Sequence, residues 1–380
     1  MKQVYLQLPP FAPDYSGVCS ALFELGGMII IHDACGCTGN YTGFDEPRWY
    51  GSKSKVYCSV LRQIDAIIGD DEKLIGRILE AAEEMKPKFI CITGSPVPMV
   101  IGTDFQGLAR EVEQRTGLPS FGFATTGLKL YDSGVADAFL ALVKRFVKKE
   151  ETVPGRINLL GLTPLDFYTD SNAQDIKAAL EAWGYTVGAS IAMGTTLEDI
   201  ATCGSAQANV VVSQSGLKMA KYMEEQLGIP YVVGVPVGKA TWLMKALEQA
   251  CREGKSVIPE PVVGGRRVLI MGEQVISDAI RRYLMEEQGL LGISVVNIFT
   301  PCPEIAGPED FQATGEKELG ALVNGGSETV IADPMLGWLL KPGSNTQWID
   351  FPIPAVSSKI NWKKCVPFIG KKAEALAKQI

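Results

Sequence analysis

Residues 88–123 have the sequence KFICITGSPVPMVIGTDFQGLAREVEQRTGLPSFGF, in which apolar runs flank a segment of helical spacing. The pattern predicts a strand at Lys88–Thr93, a helix at Asp104–Thr116 and a second strand at Ser120–Phe123. The strands that follow along the chain are apolar throughout instead of alternating, which is typical of strands covered on both faces in a parallel sheet. The sequence therefore predicts an α/β fold.

This alternation of strands and helices continues over the rest of the 380 residues, with two interruptions. A charged stretch with proline and glycine at 150–155 and a Pro/Gly-rich stretch at 255–265 are typical of linkers. We therefore predict three consecutive doubly wound parallel-sheet domains at 1–153, 154–260 and 261–358. Residues 359–380 are expected to form a C-terminal helix that packs back on them.

The predicted elements beyond residue 123 divide between these units. The strands are Ile157–Gly161, Thr186–Ile191, Ala208–Ser213, Tyr231–Val235, Arg267–Met271, Ser294–Phe299 and Thr329–Ala332. The helices are Ser133–Lys148, Asn172–Trp183, Leu217–Leu227, Thr241–Arg252, Val275–Glu287 and Glu316–Val323. Ligands of open α/β sheets bind beyond the carboxyl ends of the strands, so the loops there are the places to look for a site.

Composition excludes several classes of protein. The net charge of −7 and the pI near 5.1 give no basic surface for nucleic acid. The apolar runs are shorter than the ~18 residues of a membrane span, and the N-terminus lacks a signal pattern. Nine cysteines are too few for a disulfide scaffold, and the number is odd. We expect a cytoplasmic protein with reduced thiols.

Four of the nine cysteines fall in the first sixth of the chain: Cys19, Cys35, Cys37 and Cys58. Two of them lie in the segment Ile31–Cys37, which follows the first apolar run and contains the only histidine, His32. Soft sulfur ligands select iron–sulfur clusters, zinc or Cu(I). We expect Cys19 to precede a short helix at Ser20–Leu25, where a helix N-terminus would lower the pKa of its thiol. The clustering predicts a metal site.

At these residues the chain resembles nitrogenase component 1 and its relatives, which include dark-operative protochlorophyllide reductase and enzymes of nickel-tetrapyrrole synthesis. Cys19 corresponds to the family's first cluster cysteine, and His32–Cys37 is similar to its His-Gly-Pro-x-Gly-Cys motif. Three further stretches resemble family segments, and together they extend the likeness over nearly the whole chain: Ile67–Leu74, Cys91–Asp104 and Met223–Pro230.

The resemblance implies three Rossmann-like domains and an iron–sulfur cluster, [4Fe–4S] or P-cluster-like, shared at a dimer interface. It implies two protein partners, an ATP-dependent iron protein that supplies electrons and an identical or homologous component 1-like subunit. A small-molecule substrate would bind between the domains. Cys19 and Cys37 would anchor the cluster.

The chain also departs from the family pattern. Ser95 stands where the family has its third cluster cysteine, as an oxygen ligand or as no ligand, while the extra thiols of Cys35 and Cys58 can complete the coordination. Ser213 lies near the position of the nitrogenase cofactor cysteine, and His32 is the only histidine. We therefore expect no nitrogenase-type molybdenum cofactor.

Two other functions remain open from the sequence. A non-catalytic metallocluster or tetrapyrrole scaffold would keep the cluster thiols without turnover. A structural zinc site would use Cys19, Cys35, Cys37 and Cys58 as a tetrahedral set, although their spacing matches no zinc-ribbon pattern. No catalytic residue is assigned. Asp70, Asp71 and Asp104 are interpreted as acids that cap or begin helices.

Overall fold

The computed structural model describes residues 6–168 and 170–380, and these form three sheets in which every paired strand is parallel. Helices flank the sheets. This arrangement confirms the predicted α/β fold and its three parallel-sheet units.

The first sheet has the strand order β2-β1-β3-β4. Its strands are β1 (Met28–Ile31), β2 (Lys55–Cys58), β3 (Ile90–Thr93) and β4 (Ser120–Phe123). The associated helices are α1 (Asp14–Leu22), α2 (Gly36–Asn40), α3 (Gln63–Ile68), α4 (Asp71–Met85), α5 (Pro96–Ile101), α6 (Phe105–Thr116) and α7 (Tyr131–Phe146), with a π-helical turn at Tyr41–Asp45.

The second sheet has the order β6-β5-β7-β8. Its strands are β5 (Arg156–Leu160), β6 (Thr186–Ile191), β7 (Ala208–Val211) and β8 (Tyr231–Val233). Its helices are α8 (Pro164–Phe167), α9 (Asp170–Ala182), α10 (Leu197–Ala201), α11 (Leu217–Leu227) and α12 (Thr241–Glu253), with 3₁₀ turns at Thr202–Ser205 and Gln214–Gly216.

The third sheet has the order β11-β10-β9-β12-β13. Its strands are β9 (Val268–Gly272), β10 (Ile293–Asn297), β11 (Phe311–Gln312), β12 (Thr329–Ala332) and β13 (Gln347–Asp350). The helices are α13 (Gln274–Glu286), α14 (Glu316–Val323), α15 (Pro354–Ser357) and α16 (Glu374–Ala377), with 3₁₀ turns at Pro334–Leu339, Ser358–Ile360, Trp362–Lys364 and Lys371–Ala373.

The local sequence explains why these elements form. The four residues of β1 are all buried, as expected for a strand between two layers of helices. Helix α4 buries one face through Leu74, Ile75 and Ile78, which follow helical spacing. Asp70 caps the start of this helix, because its carboxylate accepts a hydrogen bond from the Lys73 backbone N–H. Asp104 caps α6 by accepting a hydrogen bond from the Gly107 backbone N–H.

Two sequence-based expectations about helices are wrong. Helix α1 covers Asp14–Leu22, so Cys19 lies inside a helix instead of before one. Residues 359–380 form short turns and the four-residue helix α16, not one terminal helix. Pro367 lacks an amide donor and Gly370 has a φ of 55°, and both features interrupt a helix. The segment still contacts the second domain, where the Gly370 amide donates to the Pro236 carbonyl over 2.8 Å.

The domain bounds at 153/154, 260/261 and 358/359 stay predictions. The sheets themselves lie within 28–123, 156–233 and 268–350. Helix α7 connects the first and second sheets because it packs on α1 and on α11. One continuous apolar core includes residues of all three sheets. Among the described residues, no helix combines the length and the apolar character needed to cross a membrane.

Candidate functional site

The loop after β1 is organised by one carboxylate. Asp33 Oδ2 accepts backbone N–H hydrogen bonds from Cys35 (2.9 Å), Cys37 (2.8 Å) and Thr38 (3.2 Å). The loop follows the carboxyl end of a central parallel strand, where open α/β sheets place their ligands. Cys35 has a φ of 115°, in the left-handed region that non-glycine residues rarely adopt, so the loop holds this thiol in an unusual conformation.

The same loop brings Cys35 against Cys58. Cys58 is the last residue of β2 and is the register partner of Ile31 at the end of β1. Both cysteines therefore lie at the carboxyl ends of neighbouring strands. Their Sγ atoms are 3.5 Å apart, and Cys58 Sγ lies 3.3 Å from the Asp33 carbonyl oxygen. The contact with Cys58 raises the pKa of the exposed Cys35 thiol. The structure therefore places two reduced thiols in direct contact at the surface.

Cys37 lies two residues after Cys35, on the first turn of α2, and is half-buried. Burial raises the pKa of its thiol, while the neighbouring hydroxyls of Tyr15 and Ser95 act in the opposite direction. Ser95 is buried at the start of α5, and its hydroxyl donates to Asp33 Oδ1 over 3.3 Å. The structure thus brings together Cys37, Ser95 and Tyr15 around Asp33.

Cys19 has different surroundings. It is fully buried within α1, and the ionisable groups that act on it are Cys91, Glu46 and Asp45. Burial raises the pKa of this thiol well above its ordinary value. Because α1 begins at Asp14, Cys19 is not at a helix N-terminus, and the structure does not bring it to the other three cysteines. The tetrahedral zinc set that requires all four thiols is not formed.

No group of three or more histidine, cysteine or acidic side chains among residues 6–168 and 170–380 converges closely enough to hold a metal ion. His32 Nδ1 is hydrogen-bonded to Ser59 Oγ at 2.8 Å, and burial lowers the pKa of its ring. The thiols of Cys35, Cys37 and Cys58 nevertheless occupy one loop and the adjacent strand end.

Exposed aliphatic side chains surround these cysteines on three segments: the residues after Cys58, helix α3, and helix α5 after Ser95. They are Val60, Ile64, Ile67, Ile68, Val97, Val100 and Ile101. Exposed apolar side chains that lie together mark interaction sites on otherwise water-exposed proteins. Val60 and Ile101 lie together, because both line one cavity, which also contains Asp65 and Arg77. The segments next to Cys58 and Ser95 therefore carry exposed apolar side chains among charged ones.

A second group of chemically active residues lies where the three domains meet. The Tyr131 hydroxyl, at the start of α7, donates to Asp166 of α8, which also accepts from Thr163 Oγ1 over 2.9 Å. Glu273, directly after β9, accepts from the Gln214 amide of the second domain over 2.9 Å. Burial raises the pKa of Asp166 well above its ordinary value and that of Glu273 to about 7.

Asp132 completes this junction, since its Oδ2 accepts from the Thr300 amide of the third domain over 2.8 Å. Burial raises its pKa as well. These acids were not selected as site residues from the sequence. Asp166 and Glu273 follow the carboxyl ends of predicted strands, where ligands of α/β sheets bind, so their position could have identified them. Ser213, at the same junction, donates its hydroxyl to the Gly161 carbonyl over 2.7 Å.

The sequence and the fold agree on one family. A family model described as "Nitrogenase component 1 type Oxidoreductase" matches residues 14–301. The chain belongs to this family. The resemblance found in the cysteine motifs is thereby confirmed, and an oxidoreductase-type subunit of the nitrogenase component 1 kind follows as the general class.

Individual relatives are distant. The chain is 28% identical over 203 residues to a subunit of light-independent protochlorophyllide reductase from Chlorobium phaeobacteroides, and the match covers 51% of this chain and 37% of that protein. It is 25% identical over 213 residues to nitrogenase iron-molybdenum cofactor biosynthesis protein NifE of Nostoc sp., covering 53% of this chain and 43% of the relative. The chain thus spans about two fifths of the length of these curated relatives.

A solved structure of nitrogenase Cp1 at pH 6.5 superposes with a TM-score of 0.72 at 15% identity, covering 100% of this chain and 93% of that chain. A second structure of the same protein at pH 5 gives 0.66 at 16% identity. At such identities the likeness shows the fold and nothing finer. The three-sheet architecture of this family member is therefore that of nitrogenase component 1.

Proposed function

We propose that this chain is an iron–sulfur oxidoreductase subunit whose cluster is held at the loop after β1 by Cys35, Cys37 and Cys58. The observation that carries the proposal is the 3.5 Å contact between the thiols of Cys35 and Cys58, beside Cys37, on a nitrogenase component 1 type fold. Such a cluster, of the [4Fe–4S] or P-cluster-like kind, would supply low-potential electrons.

The donor set fits the group in kind. Cysteine thiolates are the usual ligands of iron–sulfur clusters. The three residues differ in role: Cys35 is exposed, Cys58 ends a strand, and Cys37 is oriented by the hydroxyls of Tyr15 and Ser95. Ser95, which already contacts Asp33, or a group from a second chain would complete the coordination. Cys19 is a poor ligand in this proposal because its thiol is fully buried beside Cys91.

The exposed apolar side chains near the cysteines favour the proposal that a partner chain binds there. Val60, Ile67, Val100 and their neighbours would be covered by an identical or homologous component 1-like subunit, which would also shield the cluster from solvent. A separate ATP-dependent iron protein would deliver the electrons. In this proposal the component 1-like subunit covers both the thiols and this surface, and the site is incomplete in one chain because that subunit supplies the rest.

The substrate in this proposal is a small molecule bound between the domains. Reduction consumes protons as well as electrons, and the carboxyl groups at the junction of the three domains are candidate proton donors. Burial raises the pKa of Asp166 and raises that of Glu273 to about 7, which favours the protonated form of both groups. This chain's own contribution would thus be to hold protons near the reduced molecule and to exclude water.

A scaffold for metallocluster assembly is the second candidate. It is favoured by the similarity to NifE, whose name describes iron-molybdenum cofactor biosynthesis. Such a protein would keep the cysteines and the partner surface but would release what it binds instead of turning over. The two candidates differ in what happens after reduction.

Anaerobic reconstitution of the full chain with ferrous iron and sulfide tests the proposal. Cys35→Ser, Cys37→Ser and Cys58→Ser are expected to lower bound iron and visible absorbance, while the matched controls Cys251→Ser and Cys365→Ser, at half-buried thiols of other domains, retain both. Equal iron in all five variants would refute the ligand assignment. Repeated oxidation of the reduced protein by candidate substrates supports the enzyme, whereas a single transfer of the cluster to an acceptor protein supports the scaffold.

A further inference from the structure

A cavity of about 310 Å³ lies between the first and third domains. One wall is the segment before α1, where the Ala12 amide donates to the Ala355 carbonyl over 2.8 Å and so joins the two domains. The apolar part of the lining comprises Pro9, Pro10, Phe11, Pro13, Phe44, Met335, Val356 and Ile360. Small-molecule sites have this size and this apolar character.

The polar part of the lining carries a negative charge with no counterion. Asp45 lines the cavity and is 4% exposed, and the remaining polar lining residues are Tyr15, Asn40, Ser357 and Ser358. No lysine or arginine belongs to the described lining. Asp45 Oδ2 accepts from Ser16 Oγ (2.7 Å) and Asn40 Nδ2 (2.8 Å), which are neutral donors.

The second oxygen of Asp45 is less well satisfied. Its contact with Ser358 Oγ is 3.4 Å long, and that hydroxyl has only one proton, which it donates more closely to the Phe44 carbonyl. Ser357 Oγ, buried at the same wall, makes no hydrogen bond of normal length and angle among the described residues, although it lies close enough to the Asp333 carboxyl group to lower the pKa of that acid. The cavity therefore contains an acceptor with free capacity and a hydroxyl that is only weakly engaged.

The neighbouring acid Glu46, in contrast to Asp45, is paired with a cation. Glu46 is fully buried, and Arg48 contacts it through Nε at 2.7 Å and Nη2 at 2.9 Å. Asp45 has no such cation. Burial raises the pKa of Asp45 to about 6, so the carboxyl group is mostly ionised at neutral pH. Buried carboxylates are normally paired, and a cation that entered the cavity would provide the missing partner.

We propose that this cavity binds an organic cation with a flat apolar body, such as an aromatic amine, whose ammonium group pairs with Asp45 while Phe11, Phe44 and Ile360 cover the body. The Ser357 hydroxyl provides one donor for a polar atom of the ligand. Anionic molecules are excluded because nothing in the described lining balances their charge. This binding does not require the cluster proposed above, although Tyr15 lines the cavity and also contacts Cys37.

Three probes with the same indole ring test the proposal on the full chain: tryptamine (cationic), tryptophol (neutral) and indole-3-acetate (anionic). Calorimetric titration at neutral pH is expected to detect tryptamine, with tryptophol weaker and indole-3-acetate absent. Asp45→Asn keeps the shape of the side chain and should weaken tryptamine about tenfold or more, because an ion pair is lost. Asp65→Asn, at an acid outside this cavity that is paired with Lys73, is the matched control and should change nothing.

A second variant tests the cavity independently, in case Asp45→Asn fails to fold. Ile360 is 66% exposed at the rim, so Ile360→Arg leaves the core intact and is expected to weaken tryptamine by placing a cation at the mouth. Equal binding of the three probes, no binding of tryptamine, or unchanged affinity in both variants would overturn the proposal. Cys37→Ser is expected to lose iron but keep tryptamine, so failure of the cluster and failure of this cavity are separate results.

Discussion

Cys35 Sγ and Cys58 Sγ lie 3.5 Å apart, on a loop and a strand end that the parallel register of β1 and β2 brings together. A disulfide needs a bond of about 2 Å, so a small side-chain movement would join them. The pair is therefore poised for two outcomes, ligation of metal when reduced and a cross-link when oxidised.

We predict that a thiol oxidant such as diamide joins Cys35 to Cys58 before it affects any other thiol in the chain. The expected result by mass spectrometry is the loss of two hydrogen atoms from one peptide pair, reversed by dithiothreitol. Cys91 and Cys203 are buried and should remain unchanged. Free, alkylatable thiols at both positions after oxidation would show that the contact is not present in solution.

Asp33→Ala should loosen the loop that carries the cysteines. The substitution removes an acceptor shared by three backbone N–H groups and leaves them without a partner. The expected loss is about 1–3 kcal/mol of unfolding free energy, measured by urea denaturation, together with lower iron uptake. Thr196→Ala, which removes a helix cap in the second domain, is the control for stability and should leave iron uptake unchanged. Normal iron uptake in Asp33→Ala would contradict the role given to this carboxylate.

The junction acids predict a pH dependence of stability. The pKa of Glu273 is raised from 4.5 to about 7, so the native state binds more protons than the unfolded state between these values. The contribution of Glu273 to the unfolding free energy therefore falls as pH rises from about 4.5 to 7 and levels off above that range.

Glu273→Gln tests that dependence because glutamine cannot ionise, although its one oxygen replaces only one of the two acceptors that the backbone N–H groups of Gln214 and Ile276 use. Its unfolding free energy should change less between pH 5 and pH 8 than that of the native chain. Urea denaturation of the metal-free protein at the two pH values measures this difference. An identical pH profile for the two proteins would show that Glu273 titrates normally in the folded state.

The apolar surface predicts self-association or pairing with a relative. Ile67→Lys and Val100→Glu place charges at exposed positions of the surface around the cysteines and should shift the sedimentation profile toward the single chain. Leu291→Lys, an equally exposed position in the third domain, is the control. If native chain and all variants sediment alike as single chains in the presence of iron, this surface is not a contact between copies.

The sequence was sufficient for most of the sheets because their strands are continuous apolar runs. Ser120–Phe123, Thr186–Ile191 and Thr329–Ala332 have their predicted bounds. Edge strand β2 was missed because Lys55 and Tyr57 make it look like a polar loop, and edge strand β13 was missed for a similar reason. Short edge strands that are partly exposed contain few apolar residues, so the search for apolar runs identifies them poorly.

The site was predictable only in part, for a related reason. The thiols of Cys35, Cys37 and Cys58 could be chosen as candidates, but the contact between Cys35 and Cys58 depends on the register of the missed strand. Cys19 was expected at a helix start because the preceding residues, with prolines at 9, 10 and 13, look like a loop, whereas α1 begins directly after Pro13. The junction acids depend on contacts between domains, which no local pattern contains.

The iron and sulfide content of anaerobically purified protein tests the central claim most directly, with ⁵⁷Fe Mössbauer spectroscopy to identify the group. We predict iron and inorganic sulfide in nearly equal amounts, a spectrum typical of thiolate-bound clusters, and loss of both iron and sulfide in Cys58→Ser and Cys37→Ser. Zinc in place of iron, or a full cluster in both variants, would contradict it.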